Sequence, residues 1–269
     1  MKIVMFGASK GGTGKTTMCY NIASQYAKKN PDKKIAIIDT DKQANTTSFF
    51  GYSPSAFKDL DFSSYLLSQV NSEDIMVQSE YNSNLYLMPA SRMHRVNQAC
   101  IEESNLESKY TLLKDAIERD AYIQGFDVIF IDTHPGIDLF NMNVIEVADV
   151  VIHVLKAGCK HSLDSLETYK EDFEMDRAVA GMPDMNNKWY CLVNQYKNNK
   201  ASKIFCDYLN NKSDSEQILL ESYVRESTSL IECAITQKAV VNLKNTKKTH
   251  NAITDIENVV KELEDKQIL

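Results

Sequence analysis

The first thirty residues place a glycine-rich turn between an apolar segment and an amphipathic segment. The apolar segment, KIVMFGA at residues 2–8, has the length and composition of a buried β-strand. The turn, KGGTGKTT at residues 10–17, leads into a stretch in which Met18, Ile22 and Tyr26 recur at helical spacing. This order of strand, turn and helix predicts an α/β fold whose glycine-rich turn binds phosphate.

The turn carries the residue types that phosphate binding needs. Its glycines let backbone N–H groups approach a phosphate closely, and the start of the following helix adds positive potential. We expect Lys15 to contact the β- and γ-phosphates of a nucleotide and the Thr16 hydroxyl to ligate Mg²⁺. The turn has Ser9 where the usual pattern has glycine, and it contains a second lysine, Lys10. The predicted nucleotide contacts in the turn are Lys10, Gly11, Gly12, Thr13, Gly14, Lys15, Thr16 and Thr17.

Further apolar segments of strand length alternate with helix-like segments along the chain. The strand-like segments are KIAIIDTD (34–41), NLYLMPAS (84–91), FDVIFIDTHPG (126–136), DVVIHVLKA (149–157), WYCLVNQY (189–196) and, more weakly, ILLESYVRES (218–227). Helices are predicted around residues 104–123, 138–148, 161–180, 199–212 and 249–265, and the polar stretches 42–61 and 72–84 are predicted to be loops. The alternation predicts a mainly parallel sheet covered by helices on both faces.

The composition is that of an ordinary globular chain. With 269 residues, 43% of them hydrophobic and 25% charged, one α/β domain can take up the whole length, so we expect residues 1–269 to form a single domain. We expect no signal peptide before the first strand, and no apolar run in the sequence approaches the length of a membrane span. The six cysteines are scattered, which is typical of reduced thiols in a cytoplasm.

Acidic residues end two of the predicted buried strands. The spacing of Asp39 and Asp41 predicts that both carboxylates share one face of the extended chain, where they can hold metal-bound water and orient an attacking water. Asp132 follows four apolar residues, which is the position of a Walker B carboxylate that contacts Mg²⁺ directly or through water. Because open α/β sheets bind ligands at the carboxyl ends of their strands, Thr16, Asp39 and Asp132 are the predicted metal ligands.

These motifs resemble those of the ParA/MinD class of P-loop ATPases, and the resemblance runs nearly end to end. KGGTGKTT is similar to the deviant Walker A motif of the class, DTDKQANTT to its A′ segment and FDVIFIDTHPG to its Walker B motif. NLYLMPAS and VRESTSLIECAITQKAV (224–240) look like two further segments of the class. The resemblance implies a P-loop fold and an ATPase.

The resemblance also implies a use for the second lysine. In this class two subunits sandwich two ATP molecules, and a lysine, here Lys10, reaches the phosphates held by the partner. Since transfer of the γ-phosphoryl group spreads negative charge, a cation delivered in trans would link hydrolysis to dimerisation. By the same resemblance Lys10, Lys15 and Asp41 are the catalytic residues, Asp41 positions or activates the water, and Asn194 contacts adenine.

Two positions depart from the class. His134 and Lys42 stand where many relatives have proline. A histidine beside the γ-phosphate could sense pH or contact a partner, and a tolerated substitution in a switch-like loop is the alternative.

Several branches of the class fit the sequence poorly. A membrane-cycling relative would end in a basic amphipathic helix, whereas residues 251–269 contain five acidic residues against two lysines. An iron–sulfur relative needs cysteines placed to share a cluster, and the segment after FIDTHPG has none before Cys159. A tyrosine kinase of this fold would carry a tyrosine-rich tail, but the last tyrosine is Tyr223. A biosynthetic ligase of the same fold stays open and matches the C-terminal segment less well.

A local basic cluster favours the partition branch despite the formal net charge of −7. Between residues 225 and 250 the cluster contains Arg225, Lys238, Lys244, Lys247 and Lys248, against Glu226 and Glu232. Basic side chains on one surface suit contacts with DNA phosphates, which a dimer would double; an ordinary solvated face is the alternative. The predicted DNA contacts are Arg225, Lys244, Lys247 and Lys248.

The sequence therefore predicts a partition ATPase for a plasmid or chromosome. It would form an ATP-dependent homodimer on nucleoid DNA in the cytoplasm, without a membrane, and would hydrolyse ATP slowly until a ParB-like centromere-binding partner stimulates it. The phosphate loop starts at residue 10, so we expect no N-terminal helix-turn-helix extension and assign operator recognition to the partner. A positioning ATPase with a protein cargo, and the ligase, are the alternatives.

Overall fold

The computed structural model describes residues 1–91, 93–104, 108–212 and 217–269. Its strands are β1 Lys2–Gly7, β2 Ile35–Asp39, β3 Val77–Gln78, β4 Leu85–Met88, β5 Val128–Asp132, β6 Val150–Lys156, β7 Lys188–Tyr196 and β8 Gln217–Arg225. Its longer helices are α1 Lys15–Lys29, α5 His94–Glu103, α6 Leu112–Arg119, α8 Leu139–Val147, α9 Lys160–Val179, α10 Lys200–Lys212, α11 Thr228–Thr236 and α12 His250–Asp265. Short helices are α2 Asn45–Phe49, α3 Phe62–Leu66, α4 Ser72–Ile75 and α7 Ala121–Gln124, and 3₁₀ turns lie at Pro54–Ala56 and Val240–Asn242.

The strands form one sheet in the order β3-β4-β2-β5-β1-β6-β7-β8. Neighbouring strands are parallel except β3, which pairs antiparallel with β4 at the edge. The predicted, mainly parallel sheet is confirmed. The strand β3 was not predicted, because two residues are too short to show an alternating pattern.

Helices cover both faces of this sheet, as predicted. In β1, Val4 and Phe6 pack on one face in a core that α1 and α12 share, while Ile3 and Met5 pack in a second core on the other face. Both faces of the central strands are buried, which explains why their sequences are continuous apolar runs.

Most predicted helices are observed close to their expected bounds. Those predicted at 138–148, 161–180, 199–212 and 249–265 correspond to α8, α9, α10 and α12. The helix predicted around 104–123 is wrong as one element: residues 105–107 lie outside the described residues, and the remainder is split into α6 and α7. The split falls at Asp120, which leaves helical conformation and caps α7 by accepting hydrogen bonds from the N–H groups of Tyr122 and Ile123.

The predicted loops also contain short elements. Helix α2 lies within 42–61, and α4 and β3 lie within 72–84. These elements have no more than five residues each, so their sequences carry too little periodicity to stand out.

The C-terminal helix α12 closes the β8 edge of the sheet. Its apolar face, including Ile256 and Val260, is fully buried against the core. Its acidic face is used as well, because Glu262 accepts hydrogen bonds from the N–H groups of Glu221 and Ser222 on the edge strand. Helix α12 therefore caps an open sheet edge and keeps no apolar face for a lipid surface. Across the described residues, every helix is too short or too polar to cross a membrane.

The parallel arrangement brings the sequence motifs together at one edge. Strand β5 lies between β1 and β2, with Asp132 level with Phe6 on one side and with Asp39 on the other. The glycine-rich turn after β1 and the acidic segments after β2 and β5 therefore meet at the carboxyl end of the sheet.

Candidate nucleotide-binding site

The glycine-rich turn has the backbone of a loop that wraps an anion. Gly12 and Gly14 have φ angles of 85° and 88°, in the left-handed region that favours glycine. The end of β7 braces the turn from behind: the side-chain amide of Asn194 donates to the carbonyl of Thr13 over 2.8 Å, and that of Gln195 donates to the carbonyl of Gly12 over 3.0 Å. The carbonyl groups of Gly12 and Thr13 thus accept hydrogen bonds from β7. This leaves the N–H groups of the turn available to a ligand in the cavity.

A cavity of about 370 Å³ opens in front of this turn. Its lining residues are Lys10, Gly11, Gly12, Thr13, Gly14, Lys15, Thr16, Asp41, Gln43, Asn45, His134 and Pro135. Thr16 is half-buried and within the first turn of α1, where a hydroxyl can serve as a hard oxygen ligand. The structure therefore brings the predicted loop residues 10–16, Asp41 and His134 to one cavity.

The two lysines of the turn lie in different environments. Lys15 is 5% exposed, and its Nζ lies 2.6 Å from Oδ1 of Asp132. Lys10 is exposed at the cavity, and its Nζ donates to Nδ1 of His161 over 3.3 Å. Lys15 is thus fixed inside its own subunit, whereas the ammonium group of Lys10 faces outward.

The Asp132 carboxylate is fully buried and both of its oxygens have partners. Oδ1 accepts from Lys15, and Oδ2 accepts from the hydroxyl of Thr46 over 2.8 Å. A buried carboxylate is stable only when paired and hydrogen-bonded, and both conditions are met here.

Asp39 is also fully buried, but its carboxylate orders the chain. It accepts hydrogen bonds from the N–H and the hydroxyl of Thr47, both over 2.8 Å, and from the N–H of Asp41. Burial and the nearby Asp132 carboxylate raise the pKa of Asp39 to about 7. The predicted role of Asp39 as a metal ligand stays a prediction.

Asp41 lines the cavity in front of the glycine-rich turn, whereas Asp39 does not. The expectation that both carboxylates share one face is wrong, because β2 ends at Asp39 and the chain turns there. The Asp41 carboxylate accepts from the N–H of Gln43 over 2.9 Å, and burial raises its pKa above the usual value. A carboxyl group with a raised pKa, placed in a cavity, is suited to accept a proton from water.

A second cavity, of about 140 Å³, lies on the other side of Gly14. Its lining residues are Gly14, Thr17, Met18, Asn194, Gln195, Arg225, Glu226, Ser227, Leu230 and Ile231. Since Gly14 lines both cavities, one molecule can place phosphates in the first and an attached ring in the second. Thr17 and Asn194, both predicted nucleotide contacts, lie on this side.

The donor set fits Mg²⁺ held together with phosphates. The described residues contain no cluster of three or more histidine, cysteine or carboxylate side chains that could hold a metal ion by themselves. Mg²⁺ is usually bound through one or two carboxylates together with the phosphates of a substrate. Thr16 lines the cavity, whereas Asp132 does not line it and its two carboxylate oxygens are bonded to Lys15 and Thr46.

The structure divides the predicted DNA contacts. The guanidinium of Arg225 pairs with Asp255 at 2.5 Å, and Lys248 pairs with Glu232 at 2.5 Å. Within the described ranges, Lys244 and Lys247 are exposed and form no ion pair. They are the members of the set whose charge is not already used within the chain, while the fifth lysine of the basic cluster, Lys238, lies over the ring of Tyr81.

Some residues of the site were not predicted. Gln43 and Asn45 line the cavity in front of the turn. Gln195 donates a hydrogen bond to the turn, and Thr46 donates one to Asp132. Gln195 directly follows Asn194, and Gln43 and Asn45 lie two and four positions after Asp41, so closeness in the sequence to predicted site residues was the available signal. Thr46 bonds to a residue 86 positions away, a contact for which local sequence gives no signal.

Comparisons with known proteins agree along most of the chain. A family model described as AAA domain matches residues 1–173. The sporulation initiation inhibitor protein Soj of Bacillus subtilis is 30% identical over 187 residues, which cover 67% of this chain and 71% of that protein. A virulence plasmid ParA family protein of Chlamydia psittaci is 24% identical over 266 residues, covering 99% and 95%. A plasmid partition protein of Borrelia burgdorferi bound to AMPPNP has a TM-score of 0.78 at 23% identity, covering 98% and 99%, which shows a shared fold.

The Gly14→Ala variant should lose nucleotide binding while the protein stays folded. A Cβ at Gly14 would lie 2.2 Å from Nδ2 of Asn194 and would require a disfavoured φ of 88°. The clash displaces either the turn or Asn194, and both cavities change shape. Fluorescence anisotropy of a labelled ATP analogue measures the loss.

Gly181→Ala is the matched control for this variant. Gly181 also has a positive φ, 68°, but a Cβ there meets no atom within 4 Å. We expect a stability loss of about 1–2 kcal/mol from the backbone conformation and unchanged nucleotide affinity. Wild-type affinity in Gly14→Ala would contradict the assignment of the turn.

Proposed function

The chain belongs to the ParA-type family of P-loop ATPases, and we propose that it is a partition ATPase. It binds ATP and Mg²⁺, dimerises, binds DNA without sequence preference, and hydrolyses ATP slowly until a ParB-like centromere-binding partner stimulates it. The observation that carries the proposal is that two lysines line the cavity in front of the glycine-rich turn. Lys15 is buried and paired with Asp132, and Lys10 is exposed.

The phosphates of ATP are held by the N–H groups of the turn and by Lys15. On this proposal Lys15 would exchange its Asp132 partner for the β- and γ-phosphates, and Thr16 and Asp132 would be the residues that hold Mg²⁺. When bound, Mg²⁺ neutralises charge on the phosphates. The base occupies the smaller cavity beside Asn194.

Asp41 orients the water that attacks the γ-phosphate. It is the buried carboxylate that lines the cavity, and its raised pKa favours proton acceptance. The segment after Asp41 carries Gln43 and Asn45 at the same cavity, so polar groups surround the reacting end of ATP.

Lys10 acts across a dimer interface. Its side chain is exposed, its contact is with His161 rather than with the interior, and it lies at the rim of the cavity. A second subunit facing this cavity would receive the ammonium group where charge develops during hydrolysis.

DNA binding rests on Lys244 and Lys247, which lie in the segment between α11 and α12. Two neighbouring exposed lysines on each subunit give a dimer four charges for phosphate contacts, and such contacts need no base sequence. DNA-bound protein would then be associated with the nucleoid in the cytoplasm.

One observation favours a protein cargo as the second candidate. Three of the five basic residues of the cluster are used within the chain, by Asp255, Glu232 and the ring of Tyr81. Within the part of the chain that the structure describes, Lys244 and Lys247 are the members of this cluster without an ion pair or ring contact, so a chain of net charge −7 would bind DNA weakly. A positioning ATPase with a protein cargo would not need strong DNA binding. A biosynthetic ligase is the remaining alternative, and a dependence of ATP turnover on a small carboxylic-acid substrate would identify it.

The Lys10→Ala variant should bind ATP like wild type and fail to form the ATP-dependent dimer. Lys15 and the amides of the turn remain in the same subunit, so the binding site is intact. The partner-stimulated rate should fall by roughly 10³-fold, the loss seen when a cation in trans is removed from related phosphoryl transfers. Light scattering with ATP and a phosphate-release assay measure the two effects.

Lys42→Ala is the matched control, because it removes another exposed lysine next to Asp41. It should dimerise normally. Mixing Lys10→Ala with Lys15→Ala should restore part of the hydrolysis, since the second protein can offer its Lys10 to ATP held by the first. Normal dimerisation and hydrolysis by Lys10→Ala would overturn the role in trans.

DNA binding tests the partition function itself. Wild type with ATP should bind random-sequence duplex with an affinity that falls steeply with salt, and binding should be weak with ADP or no nucleotide. The double variant Lys244→Glu and Lys247→Glu should bind less tightly, with a shallower salt dependence and unchanged ATP affinity.

Lys200→Glu with Lys203→Glu on α10 makes the same change in net charge at exposed positions outside the cluster. This control should retain DNA binding. Equal loss in both double variants would assign the effect to net charge alone, and failure of the wild type to bind any duplex would favour the protein cargo.

A further inference from the structure

The hydroxyl of Thr46 fixes the orientation of the Asp132 carboxylate. Thr46 Oγ1 donates to Oδ2 over 2.8 Å, and both side chains are 0% exposed. Lys15 holds the opposite oxygen at 2.6 Å. Two partners on two oxygens set the plane of the carboxylate, and solvent does not compete for either oxygen.

The backbone that delivers Thr46 is held in an unusual conformation. Ala44 has a φ of 52°, in the left-handed region that side chains disfavour. Its N–H donates to the carbonyl of Asp41 over 2.8 Å, and the N–H of Thr47 donates to Asp39 over 2.8 Å. A backbone that is strained and held on both sides is typical of a functional segment.

The same segment carries the water-orienting end of the site. Asp41, Gln43 and Asn45 line the cavity in front of the glycine-rich turn, and Thr46 is the next residue of the chain. The side chain of Thr46 turns away from the cavity residues toward Asp132. One short segment therefore contacts both the expected position of the γ-phosphate and the buried carboxylate.

We propose that Thr46 is a positioning residue for the metal site and ties the Asp41 segment to it. When Lys15 leaves Asp132 for the phosphates, Oδ1 loses its partner, and Thr46 remains to keep the carboxylate aimed at Mg²⁺. This inference rests on the proposed function, since it requires that ATP and Mg²⁺ bind at this site. Partners that orient a metal-binding side chain are worth about 10–100-fold in metal affinity.

Thr46→Val tests the inference, because valine keeps the branched shape and removes the hydroxyl. The Mg²⁺ concentration for half-maximal tight binding of a labelled ATP analogue should rise about tenfold or more. Binding of the same analogue in EDTA should change much less, because Thr46 contacts the Asp132 carboxylate and not Lys15 itself or the amides of the turn. Thr46→Ser keeps the hydroxyl and should restore the wild-type Mg²⁺ dependence.

Thr40→Val is the matched control. The Thr40 hydroxyl donates to the main-chain carbonyl of Asp132 over 3.1 Å, so the variant removes a buried threonine hydroxyl beside the same residue and leaves the carboxylate contacts intact. It should keep the wild-type Mg²⁺ dependence. Hydrogen exchange of amides 41–49 should slow on Mg²⁺ addition to the ATP complex in wild type and respond less in Thr46→Val.

The outcomes separate this inference from the proposed function. If wild type does not bind ATP more tightly with Mg²⁺, the proposed function fails. If wild type does and Thr46→Val shows the same Mg²⁺ dependence, the function stands and the positioning role is overturned. An equal loss of binding in EDTA and in Mg²⁺, shared by Thr40→Val, would also overturn it, because it would show a general structural defect.

Discussion

The buried ion pair between Lys15 and Asp132 connects the main parts of the site. It joins the first turn of α1 to the end of β5 at a distance of 2.6 Å, with almost no exposure of either side chain. Taking both charges out of water is costly, and the cost is offset only when the pair is close and its remaining atoms are bonded. The hydroxyl of Thr46 supplies such a bond to the second carboxylate oxygen. The pair thereby holds the turn, β5 and the segment after β2 in one arrangement.

This arrangement has a functional consequence for nucleotide binding. The Lys15 ammonium has three N–H donors and directs one of them at Asp132, and on the proposed function ATP binding would exchange this contact for one with the phosphates. The braces from Asn194 and Gln195 keep the turn in place during that exchange. Lys10 is outside this interior network, which suits a charge that is used by another subunit.

The parts of the site that depend on local sequence were predictable, and the parts that depend on distant contacts were not. The strand, turn and helix around Lys15 follow from adjacent residues, and the parallel sheet follows from the apolar runs. The pairing of Arg225 with Asp255 joins residues 30 positions apart and removes a predicted DNA contact from the available charges. Asp39 and Asp41 separate because β2 ends between them, a boundary that a two-residue periodicity does not reveal.

The affinity of the Asp132→Asn variant for ATP in EDTA tests the exchange most directly. The Asp132→Asn substitution removes the carboxylate that competes with the phosphates for Lys15 and that repels them. The affinity for ATP without Mg²⁺ should therefore rise by roughly tenfold, as expected for the loss of one charged hydrogen bond. In excess Mg²⁺ the variant should bind ATP more weakly than wild type, since the proposed metal ligand has lost its negative charge. A variant that binds ATP more weakly than wild type in EDTA as well would contradict the central role of the pair.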